Sequence, residues 1–212
     1  MSSTITIGSN SYTLCTIPTS PGAAEIELGM NDAVTVFTSP FTGTQQTQLF
    51  PGGDSWDATI TLPPMTRQEA APWEGFLAEL RGKANVFQLG DLRYASPLGA
   101  GWGFPITSGT NLAMTTSLTT SGWMPHSATV LKTNDMFSLG YRLYKVCEDA
   151  VSDSSGAATL NIWPSLREAP VAGVSLVIAS PKGLFRLKDN RRAIHWSPSR
   201  LTTISISCVE AR

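Results

Sequence analysis

Apolar and polar positions alternate with a period of two over most of this chain, the spacing that puts one set of side chains on each face of a strand. Ile5 and Ile7 share a face, and Tyr12, Leu14 and Thr16 follow before a break at Pro18–Gly22. Glu25–Leu28 and Ala33–Thr38 read as short extended pieces. Residues 41–50 are expected to pair with 55–62 across Pro51-Gly52-Gly53-Asp54, since glycine accepts the positive φ of tight turns. In the second arm Trp56, Ala58, Ile60 and Leu62 point one way and Asp57, Thr59 and Thr61 the other, giving a strand with one buried face. Asn85–Leu89 is extended again, and residues up to about 130 read as short strands joined by Gly/Ser/Thr/Pro loops. Residues 136–148 and 157–163 predict a second hairpin, with Leu160 and Ile162 in phase. Val174–Ala179 and two tail segments complete the pattern, the last with Ile204, Ile206 and Cys208 on one side.

A single stretch breaks the period. Pro63-Pro64 ends the preceding strand, because proline cannot donate to a ladder. Thr66 followed by Glu69 forms the capping-box pattern, and Trp73, Phe76, Leu77 and Leu80 fall at i, i+3, i+4 and i+7. A helix over about 66–81 follows, with Gly82 as its C-terminal stop. Pro72 leaves open whether the first turn is separate. One helix among about a dozen strands makes the fold mainly β.

Composition narrows the chemistry. Charged residues are 15% of the 212, with 15 basic against 16 acidic side chains and a net charge of −1. Ser and Thr supply about a fifth of the chain. Such a neutral, hydroxyl-rich surface predicts no sequence-independent grip on nucleic acid or anionic lipid. No apolar run reaches eighteen residues and the N-terminus lacks a basic and apolar leader, so neither a spanning helix nor a signal peptide is expected. Cys15, Cys147 and Cys208 are odd in number and far apart, and read as small apolar thiols rather than disulfide or zinc partners.

Candidate catalytic groups are few. Asp149 and Asp153 near Gly156 resemble a calcium loop only superficially and are better explained as turn-capping side chains. His195, with Asp189 and Ser197 or Ser199, offers no nucleophile elbow, and His126 has no partner signal. Gly99–Gly103 lacks the helix and lysine of a phosphate loop. Trp56 and Trp73 belong to apolar faces, which leaves Trp102 and Trp123 as aromatic plates for a sugar-binding module, the alternative functional class. Arg186, Lys188, Arg191 and Arg192 surround an expected hairpin tip, which suits a solvated turn or an ion pair with a neighbouring copy.

Several phrases also occur in a recognisable order: W56DATITLPPMT, W73EGFLAELRGKANVFQLGD91, PLGAGWGFP, LYKVCEDAVSDSSGAATLNIWPSLR, and PKGLFRLKDN through W196 to ISISCVEA. From Trp56 to Glu210 this succession resembles the distal tail (hub) proteins of long-tailed, non-contractile bacteriophages. The resemblance implies a non-enzymatic structural protein of the virion tail tip, without cofactor or metal and assembled in the host cytoplasm. It implies a homo-oligomeric ring, commonly a hexamer, between the tail tube and the host-recognition hub. Its partners would be the tail tube, tape-measure and tip proteins, with phage DNA passing through unread during ejection and no insertion into membrane. It implies a tail-tube-like two-sheet β-sandwich or barrel with one flanking helix, assigned to residues 1–92 and 183–212, and a second, barrel-like β-domain inserted at 93–182. The 41–62 hairpin is the expected inter-subunit or lumen element. Phe41, Thr44, Gln46, Gln48, Phe50 and Asp57 are its candidate contacts, joined by Arg191 and Arg192.

Overall fold

The computed structural model describes residues 3–7, 10–126, 129–198 and 200–212. In chain order the first strands are β1 (Ser3–Ile7), β2 (Asn10–Cys15), β3 (Glu25–Asn31), β4 (Val34–Thr38), β5 (Gln45–Leu49) and β6 (Ser55–Thr61). After α1 (Arg67–Leu80) come β7 (Val86–Leu89), β8 (Gly103–Thr107), β9 (Ser117–Trp123), β10 (Met136–Leu139), β11 (Arg142–Val146) and β12 (Ala158–Trp163). The chain ends with β13 (Leu176–Val177), β14 (Gly183–Leu187), β15 (His195–Trp196), β16 (Thr202–Thr203) and β17 (Ser205–Glu210). Among the described residues the protein is mainly β with one α-helix, as the periodicity indicates.

Two compact units result. The first comprises Met1–Met30, Trp56–Asp91 and Gly183–Arg212, and the second Asn31–Ser55 and Leu92–Lys182. The sequence reading places its cuts at 92/93 and 182/183. Residues 31–55 differ: they join the second unit instead of the first, and hydrogen bonds tie Asp32 and Gly52 to Trp163, Ser165 and Arg167 there.

In the first unit the sheet order is β1-β2-β7-β14-β17-β6-β3, with β2 and β7 parallel. Trp56, Ala58, Ile60 and Leu62 are buried as expected, and Ile206 and Cys208 lie opposite Ile60 and Ala58. The helix lays Trp73, Phe76, Leu77 and Leu80 on this sheet, Phe76 meeting Phe87 edge-on at 5.4 Å. Trp73 also donates its indole N–H to the Pro21 carbonyl at 3.1 Å, so a buried polar atom is satisfied. A smaller cluster of Ile5, Val86, Leu184 and Ala211 forms separately. Burial pushes the Cys15 thiol up to about 11 and Cys208 up to about 12, with Glu79 and Asp57 respectively adding to the shift, so both stay protonated at neutral pH. Cys147 is exposed, where a buried or half-buried small apolar thiol was expected, because the chain has left β11 by that point.

The helix runs unbroken from Arg67 through Pro72. The Glu69 carboxylate accepts the Thr66 backbone N–H at 2.8 Å and its hydroxyl at 2.9 Å. Those bonds, the backbone one foremost, lower the Glu69 pKa. Asp149 is lowered by the Thr133 backbone N–H, and Asp153 chiefly by the Ser155 hydroxyl. All three groups are held ionised in the fold, so their contribution is complete above the ordinary carboxylate range, about pH 4. It is lost as pH falls through their depressed values. Thermal melts at stepwise lower pH should therefore show falling Tm below about pH 4, with a shallower fall in Glu69→Gln.

The second unit holds a six-stranded sheet ordered β13-β10-β11-β12-β9-β8. Its ends meet through an Ile106–Ser175 bridge and a Thr107 N–H to Val174 carbonyl bond of 2.8 Å, nearly closing a barrel. Phe137, Tyr144, Leu118, Leu160 and Ile162 fill it. Residues 136–148 are not one strand: Gly140, at φ 59°, turns the chain so that β10 and β11 pair with each other, and β11 then pairs with β12. Asp153 caps its own turn through Ser155 and Ala157, as turn chemistry requires, whereas Asp149 instead accepts from Thr133.

The expected 41–50/55–62 hairpin does not form. β5 pairs with β4, and β6 lies between β17 and β3 in the other unit. Pro51 and Gly52 do make a turn, but the apolar face of β6 is buried in a sheet while β5 (QQTQL) carries nothing to match it.

Candidate functional site

The β4–β5 ribbon stands out because none of its strand residues is buried. Its register runs from Val34 opposite Leu49 to Thr38 opposite Gln45. That places Val34, Val36, Thr38, Gln45, Thr47 and Leu49 on one face, and Thr35, Phe37, Gln46 and Gln48 on the other. The connecting turn is closed by Ser39 N–H to Thr44 carbonyl at 2.8 Å and Gly43 N–H to Ser39 carbonyl at 3.0 Å. Phe41 projects from this turn with 95% of its surface exposed, and Phe37 on the strand is 60% exposed. Residues 33–53 contain no Asp, Glu, Lys or Arg. Among the described residues the ribbon pairs with no third strand.

The base of the ribbon is as ordered as its tip is open. Phe50 N–H extends the ladder to the Ala33 carbonyl at 2.9 Å. Gly52 N–H donates to the Ser165 hydroxyl at 2.8 Å, and that hydroxyl donates to buried Asp54 at 3.2 Å. Arg167 spans the turn, donating to the Gly52 carbonyl at 2.7 Å and to the Asp54 carbonyl. Trp163 donates its indole N–H to Asp32 at 2.7 Å. Gly53 has to be glycine, since a Cβ there would sit 2.3 Å from that of Ala33. The second unit therefore clamps the foot of an uncharged ribbon and presents its edges and both faces to solvent.

Of the residues read from the sequence, Phe41, Thr44, Gln46, Gln48 and Phe50 lie together on this ribbon and are exposed. Asp57, Arg191 and Arg192 belong to the other unit. Asp57 sits on β6 with its carboxylate over Gly29. Arg192 donates to the Leu77 carbonyl in the last turn of α1, and Asn190 accepts Lys83 N–H at 3.1 Å. The Lys188–Arg192 segment is thus a loop folded against the helix end, not a hairpin tip. β14 before it pairs with β7 and β17, and β15 after it pairs with β16.

Other candidates are also placed. Trp123 is only 3% exposed and its indole N–H meets Thr120 Oγ1 at 2.8 Å, so it is a core residue and not a sugar plate. Trp102 is 63% exposed. Ser197 donates its hydroxyl to the Leu201 carbonyl at 3.4 Å, within a turn, and His195 is exposed on β15. Ser199 lies outside the described residues. No cluster of three metal-ligating side chains occurs among the described residues. The exposed apolar positions Val34, Val36, Phe37 and Leu49 were not singled out in the sequence, where alternate valines suggest a buried face; their warning sign is a phenylalanine out of phase within an uncharged stretch. Compared with known proteins, the chain matches no family model and no curated protein.

Proposed function

We propose that this chain is a non-enzymatic, ring-forming distal tail protein that joins a phage tail tube to the host-recognition hub and continues the DNA channel. The observation that carries this reading is the β4–β5 ribbon: two open ladder edges, apolar side chains on both faces and no charge. Proteins that remain monomeric blunt such edges with lysine, proline or bulges. A ribbon lacking these devices within its strands gains most when an adjacent copy continues its ladder. Repeated head-to-tail contacts close into a ring when their rotation closes, leaving a central pore. A net charge of −1 and an abundance of hydroxyl side chains suit a conduit that DNA traverses without sticking. The resemblance of the ordered phrases from Trp56 to Glu210 to distal tail proteins supports the family reading and, with it, the hexamer, the tube, tape-measure and tip partners, and the virion tail tip as location.

Mass photometry and negative-stain imaging of the purified chain, alone and with the products of neighbouring tail genes, test the reading. Closed rings are the expected result. A chain that stays monomeric at every concentration and with every tail partner overturns it.

A further inference from the structure

We infer that the second unit binds a neutral saccharide in a groove of about 610 Å³ beside β8, with the Trp102 indole as its stacking plate. The groove is lined by Leu98, Trp102, Met124, His126, Thr129 and Lys132, among others. The volume lies within the range of small-molecule sites, about 300–1,000 Å³.

The wall that carries Trp102 is built to stay in place. Asp135, with no exposed surface, accepts the backbone N–H groups of Leu98 at 2.8 Å, Gly99 at 3.0 Å and Lys132 at 2.8 Å. Ala100 and Gly101 N–H then reach the Thr129 and Val130 carbonyls, both at 2.9 Å, and Met124 N–H reaches the Trp102 carbonyl at 3.0 Å. Gly99 permits this approach, because a Cβ there would lie 2.5 Å from the Val130 carbonyl oxygen. An exposed indole on backbone fixed from both sides loses little freedom when a ligand covers it.

The lining chemistry selects the ligand. A pyranose has an apolar C–H face and a rim of hydroxyls. The indole matches the first, and the Thr129 hydroxyl, His126 imidazole and Lys132 ammonium match the second. Lys132 is not an isolated cation, since the Asp149 carboxylate is bonded to Thr133 next in the chain. Neither Asp nor Glu lines the groove, so the pair of carboxylates that glycoside hydrolysis requires is not supplied there. The site binds and does not cleave. It does not depend on ring formation, and its test uses the full chain by itself.

A panel of neutral oligosaccharides built from glucose, galactose, mannose, xylose and N-acetylglucosamine, with acidic uronate oligomers alongside, is screened on an array and titrated by calorimetry. At least one neutral oligosaccharide should bind with Kd between about 10 μM and 1 mM. Trp102→Ala should weaken it about tenfold or more while leaving the melting temperature near that of the parent chain. Trp196→Ala, which removes an exposed indole from the other unit, should leave the affinity unchanged. No binding of any neutral oligosaccharide at about 10 mM overturns the inference, as does binding indifferent to Trp102→Ala or a preference for the uronates.

Discussion

Asp135→Ala should lower the stability of the second unit by about 3 kcal/mol or more. The carboxylate has no surface exposed and receives three backbone N–H groups from two separate chain segments. Alanine removes the acceptor and leaves all three donors behind, at about 1–3 kcal/mol for each that water does not reach. Asp135→Asn is the informative companion: its carbonyl oxygen still accepts, but its NH₂ faces the remaining donors, so an intermediate loss is expected. Chemical denaturation followed by hydrogen exchange at the Leu98, Gly99 and Lys132 amides, all in this unit, reads the effect directly. A midpoint unchanged in Asp135→Ala would mean that loops 98–99 and 132 hold themselves.

The second large effect concerns assembly. Val36→Ser, Phe37→Ser and Phe41→Ser together should abolish rings while leaving the melting temperature close to the parent value. All three side chains are exposed, so the isolated chain loses no core on their removal. At an interface, burial of each large apolar side chain is worth about 1.5–3 kcal/mol. Whichever face meets the neighbour, losing about two of the three there weakens each subunit contact by on the order of 4 kcal/mol, about a thousandfold in its equilibrium constant. The substitutions span both faces of the ribbon and its turn, so the result does not depend on which face meets the neighbour. Rings of undiminished abundance in this variant would remove the ribbon from the assembly reading.

Local signals were legible wherever the partner of a residue was itself nearby or the burial was one-sided. The helix could be read from Thr66, Glu69 and the Trp73–Leu80 stripe because capping and 3.6-residue periodicity are properties of a short segment. The buried face of β6 and the phase of Ile204, Ile206 and Cys208 were legible for the same reason. Partner choice was not. Pro51-Gly52-Gly53 is a turn in both the sequence reading and the structure, yet the strands on either side of it go to different sheets. Which strands pair is decided by complementary faces far away in the chain, and β6 found those in β17, some 150 residues on. Gly140 was passed over inside what looked like a single strand because Phe137, Leu139, Leu143 and Val146 keep the chain apolar on both sides of the turn.

The candidate site divides along the same line. Five of its eight residues fall on one ribbon, since they were chosen from one contiguous stretch. Arg192 was drawn by charge alone, and charge does not disclose that a guanidinium is occupied by the Leu77 carbonyl at the end of a helix. Trp102 and Trp123 are equivalent as letters in glycine-rich text; Trp123 ends a strand with alternate side chains buried and gives its indole N–H to Thr120, while Trp102 stays exposed in the loop before β8. The amino-acid order by itself thus determined the β character, the single helix and its cap, the buried faces and the near-neutral surface, all of which follow from interactions within a few residues. Only the tertiary structure decided strand partners, the assignment of residues 31–55 to the second unit, and which apolar side chains stay in water, because each depends on what distant segments leave unfilled.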